Sequence, residues 1–221
     1  MSDIIKQNTV SAEKQLKGNE SLFYLGNPDA KTRIVIVGNS ITRHGIKEDI
    51  GWDRLCGMAA SDEEHDYVHI LYRKLTEVGQ EVYMMVNQLS DWEMHHRENI
   101  LGNYTDIRDF KPDWFVFRLG ENIHGDRYDE TLPAHMEKML AFFTTPKTKV
   151  VMTTCFWKNA DVDEAIRSVA KKGNHILVEM GDLGDREDMR AGGLFWHGGV
   201  ASHPGDKGMA HIAQRIFDVM V

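Results

Sequence analysis

Short apolar runs alternate with longer amphipathic stretches along this chain. Arg33-Ile34-Val35-Ile36-Val37-Gly38 places four β-branched residues in a row. Such a run predicts a strand buried on both faces, as parallel sheets require. Similar runs recur at Glu81–Val86, Trp114–Phe117, Lys149–Met152 and His175–Val178. Between them the apolar positions shift to helical spacing. Val68, Leu71, Leu75 and Val78 share one face of a helix predicted over 67–78. Met136, Met139, Leu140 and Phe143 do the same over 132–143, and Val162, Ile166 and Val169 over 161–172. A last helix over 206–219 presents Met209, Ile212, Ile216 and Val219. Strands that alternate with helices predict an α/β fold: a doubly wound sheet of about five parallel strands with helices on both faces, in three layers. Leu22-Phe23-Tyr24 before Gly26-Asn27-Pro28 reads as an extended segment and turn, and residues 1–20 as a tail or extra helix. With no repeat or linker-like stretch, 1–221 reads as a single domain.

Composition narrows the function classes. Acidic residues outnumber basic ones, 34 to 26, for a net charge of −8. That balance argues against a nucleic-acid or anionic-membrane partner, since both demand positive charge. The two cysteines, Cys56 and Cys155, form no metal-ligand pattern, and Cys155 after Val150-Val151-Met152 reads as a buried thiol. His95 and His96 are adjacent and cannot share a helix face, so no metal and no cofactor is expected. The first residues show no signal-peptide pattern and no run reaches membrane-spanning length, which leads to the expectation of a cytoplasmic protein.

Three segments carry candidate chemistry, each beside a predicted strand end or helix start. Gly38-Asn39-Ser40-Ile41-Thr42 closes the first strong strand, where open α/β sheets bind ligands. Ser40 there fits a nucleophile or a simple helix cap. Leu119-Gly120-Glu121-Asn122 closes the Trp114–Phe117 strand, and the Asn122 amide fits an oxyanion donor or a turn residue. Ser202-His203-Pro204 precedes the last helix, and His203 has the proton affinity of a general base.

The order Gly-Asn-Ser-Ile-Thr, Gly-Glu-Asn and Ser-His-Pro resembles the SGNH (GDSL-like) hydrolases, over about residues 33–221. The resemblance implies a flavodoxin-like α/β/α fold, with Ser40 as nucleophile, Asn122 as oxyanion donor and His203 as base. It also implies a backbone N–H donor from a loop glycine, but Asn87-Gln88-Leu89-Ser90-Asp91-Trp92 has none. A backbone N–H of Ser90 or Asp91 is expected to serve, beside that of Ser40. Where the family places aspartate three residues before the histidine, this chain has Val200. Four groups are candidates to orient His203: a main-chain carbonyl near Val200, favoured, and the carboxylates of Asp182, Asp185 and Asp206.

Trp52, Trp92, Glu93 and Glu121, with Arg97 nearby, are expected around the substrate pocket, where aromatic and charged groups suit a sugar. The resemblance thus implies a small-molecule partner, a short-acyl ester with saccharide acetates first among candidates. A thioesterase or lysophospholipase on the same scaffold and a non-catalytic carbohydrate-binding relative are the alternatives.

Overall fold

The computed structural model describes residues 21–221. The expectation for 1–20 falls outside the described residues. Six strands form one sheet: β1 (Leu22–Gly26), β2 (Thr32–Gly38), β3 (Val82–Gln88), β4 (Trp114–Arg118), β5 (Lys149–Thr153) and β6 (Ile176–Val178). Their spatial order is β1-β3-β2-β4-β5-β6. Strands β2 to β6 are parallel and match the five apolar runs. β1 is the difference: the extended segment joins the sheet edge antiparallel to β3, Leu22 opposite Asn87 and Gly26 opposite Tyr83.

Helices cover both faces because the strands are apolar on both. Ile34 and Ile36 of β2 point to one face, where α1 (Tyr67–Glu77) packs beside the last helix, α7 (Asp206–Met220). Val35 and Val37 point to the other, against α3 (Thr105–Phe110), α4 (Leu132–Phe143) and α5 (Ala160–Gly173). Leu71, Leu75, Met209, Ile212 and Ile216 are fully buried on the first side; Met136, Met139, Phe143 and Ile166 are fully buried or nearly so on the second. Two short helices complete the described set: α2 (Ser90–His95) after β3, and α6 (Gly198–Ala201) before α7. Asp66 starts α1 by accepting from the His69 N–H at 2.9 Å, the local device that ends the preceding loop. No helix among the described residues is long and apolar enough to cross a membrane.

Register decides which loops meet. Gly38, at the end of β2, lies opposite Gln88 of β3 and opposite Arg118 of β4. Ser40, Ser90 and Asn122 follow those three positions by two, two and four residues. They therefore leave the same edge of the sheet on adjacent strands. The chain winds from β2 to β3 on one side and returns to β4 on the other, so β2 and β4 flank the point where strand order reverses. Ligand crevices form at that point in open α/β sheets.

Candidate active site

The turn after β2 is held by its own backbone and by its neighbours. The Asn39 carbonyl accepts from the N–H groups of Thr42 and Arg43 at 2.9 and 3.0 Å. A Cβ on Gly38 would lie 1.8 Å from Thr42 Oγ1, so only glycine fits where the chain folds back. Ser40 sits in this turn, half-buried, with Oγ 2.9 Å from His203 Nε2.

His203 arrives from the opposite end of the chain. Its ring Nδ1 lies 2.7 Å from the carbonyl oxygen of Gly199, four residues back. A carbonyl only accepts, so Nδ1 carries the proton and Nε2 presents its lone pair to the Ser40 hydroxyl. That carbonyl is available because α6 is one turn long, and the last carbonyls of a helix lack partners within it. It also accepts from Ser202 Oγ at 2.8 Å, so two donors fix it. The Trp157 and His203 rings pack nearly perpendicular, centroids 5.1 Å apart at 84°, and Trp157 Nε1 donates to the Ser202 carbonyl at 3.1 Å. Burial pushes the His203 pKa down to about 4, against the Gly199 hydrogen bond, which raises it. The imidazole is therefore neutral near pH 7.

The favoured orienting group, a main-chain carbonyl near Val200, is found at Gly199 rather than at Val200 itself. The Val200 carbonyl accepts from the His203 backbone N–H at 3.0 Å rather than from the ring, because the ring reaches one residue further back. The three carboxylates are engaged elsewhere. Asp182 pairs with Arg215 at 2.5 and 2.7 Å, Asp185 with Lys158, and Asp206 accepts from Ser61 N–H and Oγ at 2.8 and 2.6 Å.

Asn122 reaches the same edge through a buried carboxyl. Its Nδ2 donates to Glu93 Oε2 at 2.5 Å, and Glu93 Oε1 accepts from Gly120 N–H at 2.5 Å and from Asn39 Nδ2 at 3.0 Å. Asn39 Nδ2 also donates to Glu121 Oε2 at 2.6 Å, and Glu121 Oε1 takes Arg118 Nη2 at 2.7 Å and Phe156 N–H at 2.9 Å. Asn39 thus bridges two carboxyls. An aspartate there would bring a third negative group and no donor, which gives the asparagine of Gly-Asn-Ser a physical reason. Burial and the Glu121 charge push Glu93 up to about 7, opposed by its donors. Burial also works against the Glu121 charge, but the Arg118 guanidinium beside it holds its carboxyl below the usual range.

The side chains of four expected pocket residues are buried. Trp52, Trp92 and Glu93 are at most 1% exposed, and the Glu121 side chain is 3% exposed. Trp52 packs against Phe195, and Trp92 against His96 and edge-on to Phe117. Apolar rings so near the sheet gain more from burial than from a solvent-facing rim, and the two glutamates are drawn inward by the donors named above. Arg97 pairs with Asp129 at 2.6 Å. Ser90 and Asp91 supply the first two N–H groups of α2, which have no partner within a helix. The Leu89 N–H donates to the Gly38 carbonyl at 2.6 Å and ties that loop to the Ser40 turn.

Sequence reasoning missed Gly199 and Trp157 at the site, and the exposed ring of Trp196 away from the described dyad contacts. Trp157 follows β5 at its carboxyl end, the same topological signal that singled out Ser40 and Asn122. Gly199 lies in a glycine pair that hides a helical turn. Trp196 is 75% exposed in the segment leading to α6, and its Nε1 lies over Gly51, where a Cβ would stand 2.4 Å away. An exposed tryptophan in a run of glycines was a readable sign of a surface ring.

No family model matches the sequence, and no curated relative does. Solved structures do resemble it. LAE5, an α/β hydrolase enzyme from the metagenome of Lake Arreo, Spain, is 19% identical, with a TM-score of 0.54 over 86% of this chain and 94% of that one. A GDSL-like lipase from Bacteroides ovatus is 13% identical, with a TM-score of 0.51 over 86% and 97%. A family two carbohydrate esterase from Cellvibrio japonicus is 13% identical, with a TM-score of 0.52; the match covers 86% of this chain and 61% of that longer one. Together with the strand order and the layers on either side, these likenesses show that the chain shares its three-layer α/β/α fold with these proteins.

Proposed function

We propose that this protein is a serine ester hydrolase that acts through a Ser40–His203 dyad and an acyl-enzyme. The observation that carries the reading is the relay Ser40 Oγ, His203 Nε2, His203 Nδ1, Gly199 carbonyl, with steps of 2.9 and 2.7 Å. His203 takes the hydroxyl proton as Ser40 Oγ attacks the ester carbonyl carbon. The oxyanion is met by the Ser40 N–H, a backbone N–H of Ser90 or Asp91 and the Asn122 amide. His203 returns the proton to the leaving alcohol, and water then releases the acid by the same route. A main-chain carbonyl holds the tautomer as a carboxylate would, but it brings no full negative charge to the imidazolium.

The substrate class we favour is a short-acyl ester of a saccharide. Trp157 beside His203 and the exposed Trp196 are aromatic faces of the kind sugars stack on, and the fold likeness includes a carbohydrate esterase. Hydrolysis of p-nitrophenyl esters from acetate to decanoate tests this. A kcat/KM that peaks at acetate or propionate is expected; a peak at octanoate or beyond would favour the lysophospholipase or thioesterase alternatives.

The neutral base sets the pH dependence. His203 ordinarily titrates near 6.5 and is displaced to about 4. Protonation removes the base, so in Glu93→Gln, which has no carboxyl near 7 to titrate beside Asn122, kcat/KM should stay level from pH 7 down to about 5 and fall as pH drops through about 4. Between pH 4 and 6.5 the unfolded chain binds a proton that the folded chain does not. His203 therefore contributes a loss of stability on acidification across that window, opposed by Glu93, whose carboxyl near 7 takes up its proton first in the folded chain. An acid limb centred near pH 6.5 in Glu93→Gln would contradict this environment for His203.

A further inference from the structure

Glu93 has no place in the dyad, yet it is fully buried and is met by three donors from two separate segments. It comes from α2, after β3. Its Oε1 accepts from Asn39 in the nucleophile turn and from Gly120 N–H in the loop after β4, and its Oε2 accepts from Asn122 Nδ2. The Asn122 amide has two hydrogens. One is committed to Glu93, so the direction of the other is fixed.

We infer that Glu93 is a positioning residue that orients the Asn122 amide toward the oxyanion and locks its loop to the Ser40 turn. This rests on the ester-hydrolase reading for its catalytic meaning, but the orientation itself is a statement about side chains.

The chemistry of the amide makes the inference testable with an isosteric change. In Glu93→Gln, the oxygen must stay where Asn39 and Gly120 both donate, because an NH2 group there would face two donors. The new NH2 then faces Asn122 Nδ2. Two donors cannot bond, so the Asn122 amide must turn over and offer its oxygen. The turned amide presents a lone pair in the direction where it had an N–H. The oxyanion thus loses a donor without any loss of volume. Gly120 limits other ways out: its φ is +144°, and a Cβ there would stand 2.7 Å from Cys155 Sγ, so this loop has little room to shift.

The experiment is a double-mutant cycle of Glu93→Gln and Asn122→Ala on p-nitrophenyl acetate, with side-chain amide spectra of 15N-labelled protein. Glu93→Gln should lower kcat by about 100-fold, with KM changed by less than about threefold, as loss of one oxyanion donor does. In the Asn122→Ala background it should cost less than about twofold more, because a residue that acts through Asn122 has nothing left to orient. A merely structural role would repeat its full cost there. In the spectra, the Asn122 Nδ2 protons, identified by their absence in Asn122→Ala, should show one proton shifted downfield in the wild type and back in Glu93→Gln. A Glu93→Gln enzyme with wild-type kcat, or with additive losses, overturns the inference. If the wild type turns over no ester, the hydrolase reading fails while the amide spectra still decide the orientation: lost downfield shift upholds it, unchanged resonances overturn it.

Discussion

Ser40→Ala should lower kcat on p-nitrophenyl acetate by about 10⁶-fold, and His203→Ala by a similar factor. Both groups act in one event: the hydroxyl is a weak nucleophile until the imidazole takes its proton. Each variant alone therefore removes the covalent route, and the double variant should be no slower than either single one. Residual catalysis of about 10³-fold over water should persist, because the backbone N–H groups and Asn122 still face the carbonyl oxygen. Steady-state rates on purified variants with unchanged thermal transitions check this. Additive losses would mean that Ser40 and His203 serve different steps, which the 2.9 Å contact contradicts.

The second large effect is on stability. Arg118→Met should destabilise the fold by about 3–5 kcal/mol, the usual consequence of stranding one member of a buried ion pair. Arg118 is 0% exposed and its partner Glu121 3%. Removing the guanidinium leaves a carboxylate with only neutral donors, Asn39 and Phe156 N–H. The methionine fills most of the volume, so the loss reads charge rather than packing. Two further measurements separate these. Adding Glu121→Gln should recover part of the loss, because the stranded charge is gone while its NH2 then faces one of the two donors, Asn39 Nδ2 or Phe156 N–H. Lower pH should also shrink the defect of the single variant, since Arg118 no longer holds the Glu121 pKa down and the carboxyl protonates more readily. Urea midpoints at two pH values check both. A defect that Glu121→Gln leaves unchanged would locate the cost in packing instead.

The fold was legible because its strands are buried on both faces. Ile34 to Val37 cannot belong to a surface strand, and the helical spacing after each run fixes the alternation. β1 was less legible: its five residues gain their partner from β3, some sixty residues away, and nothing local marks the antiparallel edge. Within the site, Ser40, Asn122 and His203 stood out because strand ends carry them or a final helix follows. The orienting group of His203 could be narrowed to a carbonyl near Val200 but not to Gly199, because a one-residue difference depends on where a single helical turn ends. Glu93 misled for a different reason. A charged residue on a short helix after a strand ordinarily faces solvent, and it is buried here only because Asn39, Gly120 and Asn122 bring donors from distant loops.

The central claim is that Ser40 is a nucleophile activated by a neutral, carbonyl-held imidazole. A fluorophosphonate probe followed by intact-mass and peptide analysis tests it most directly. A single adduct is expected on Ser40 of the folded wild type, absent in Ser40→Ala and greatly slowed in His203→Ala. A folded wild type that takes up no probe, or takes it up at another residue, would contradict it.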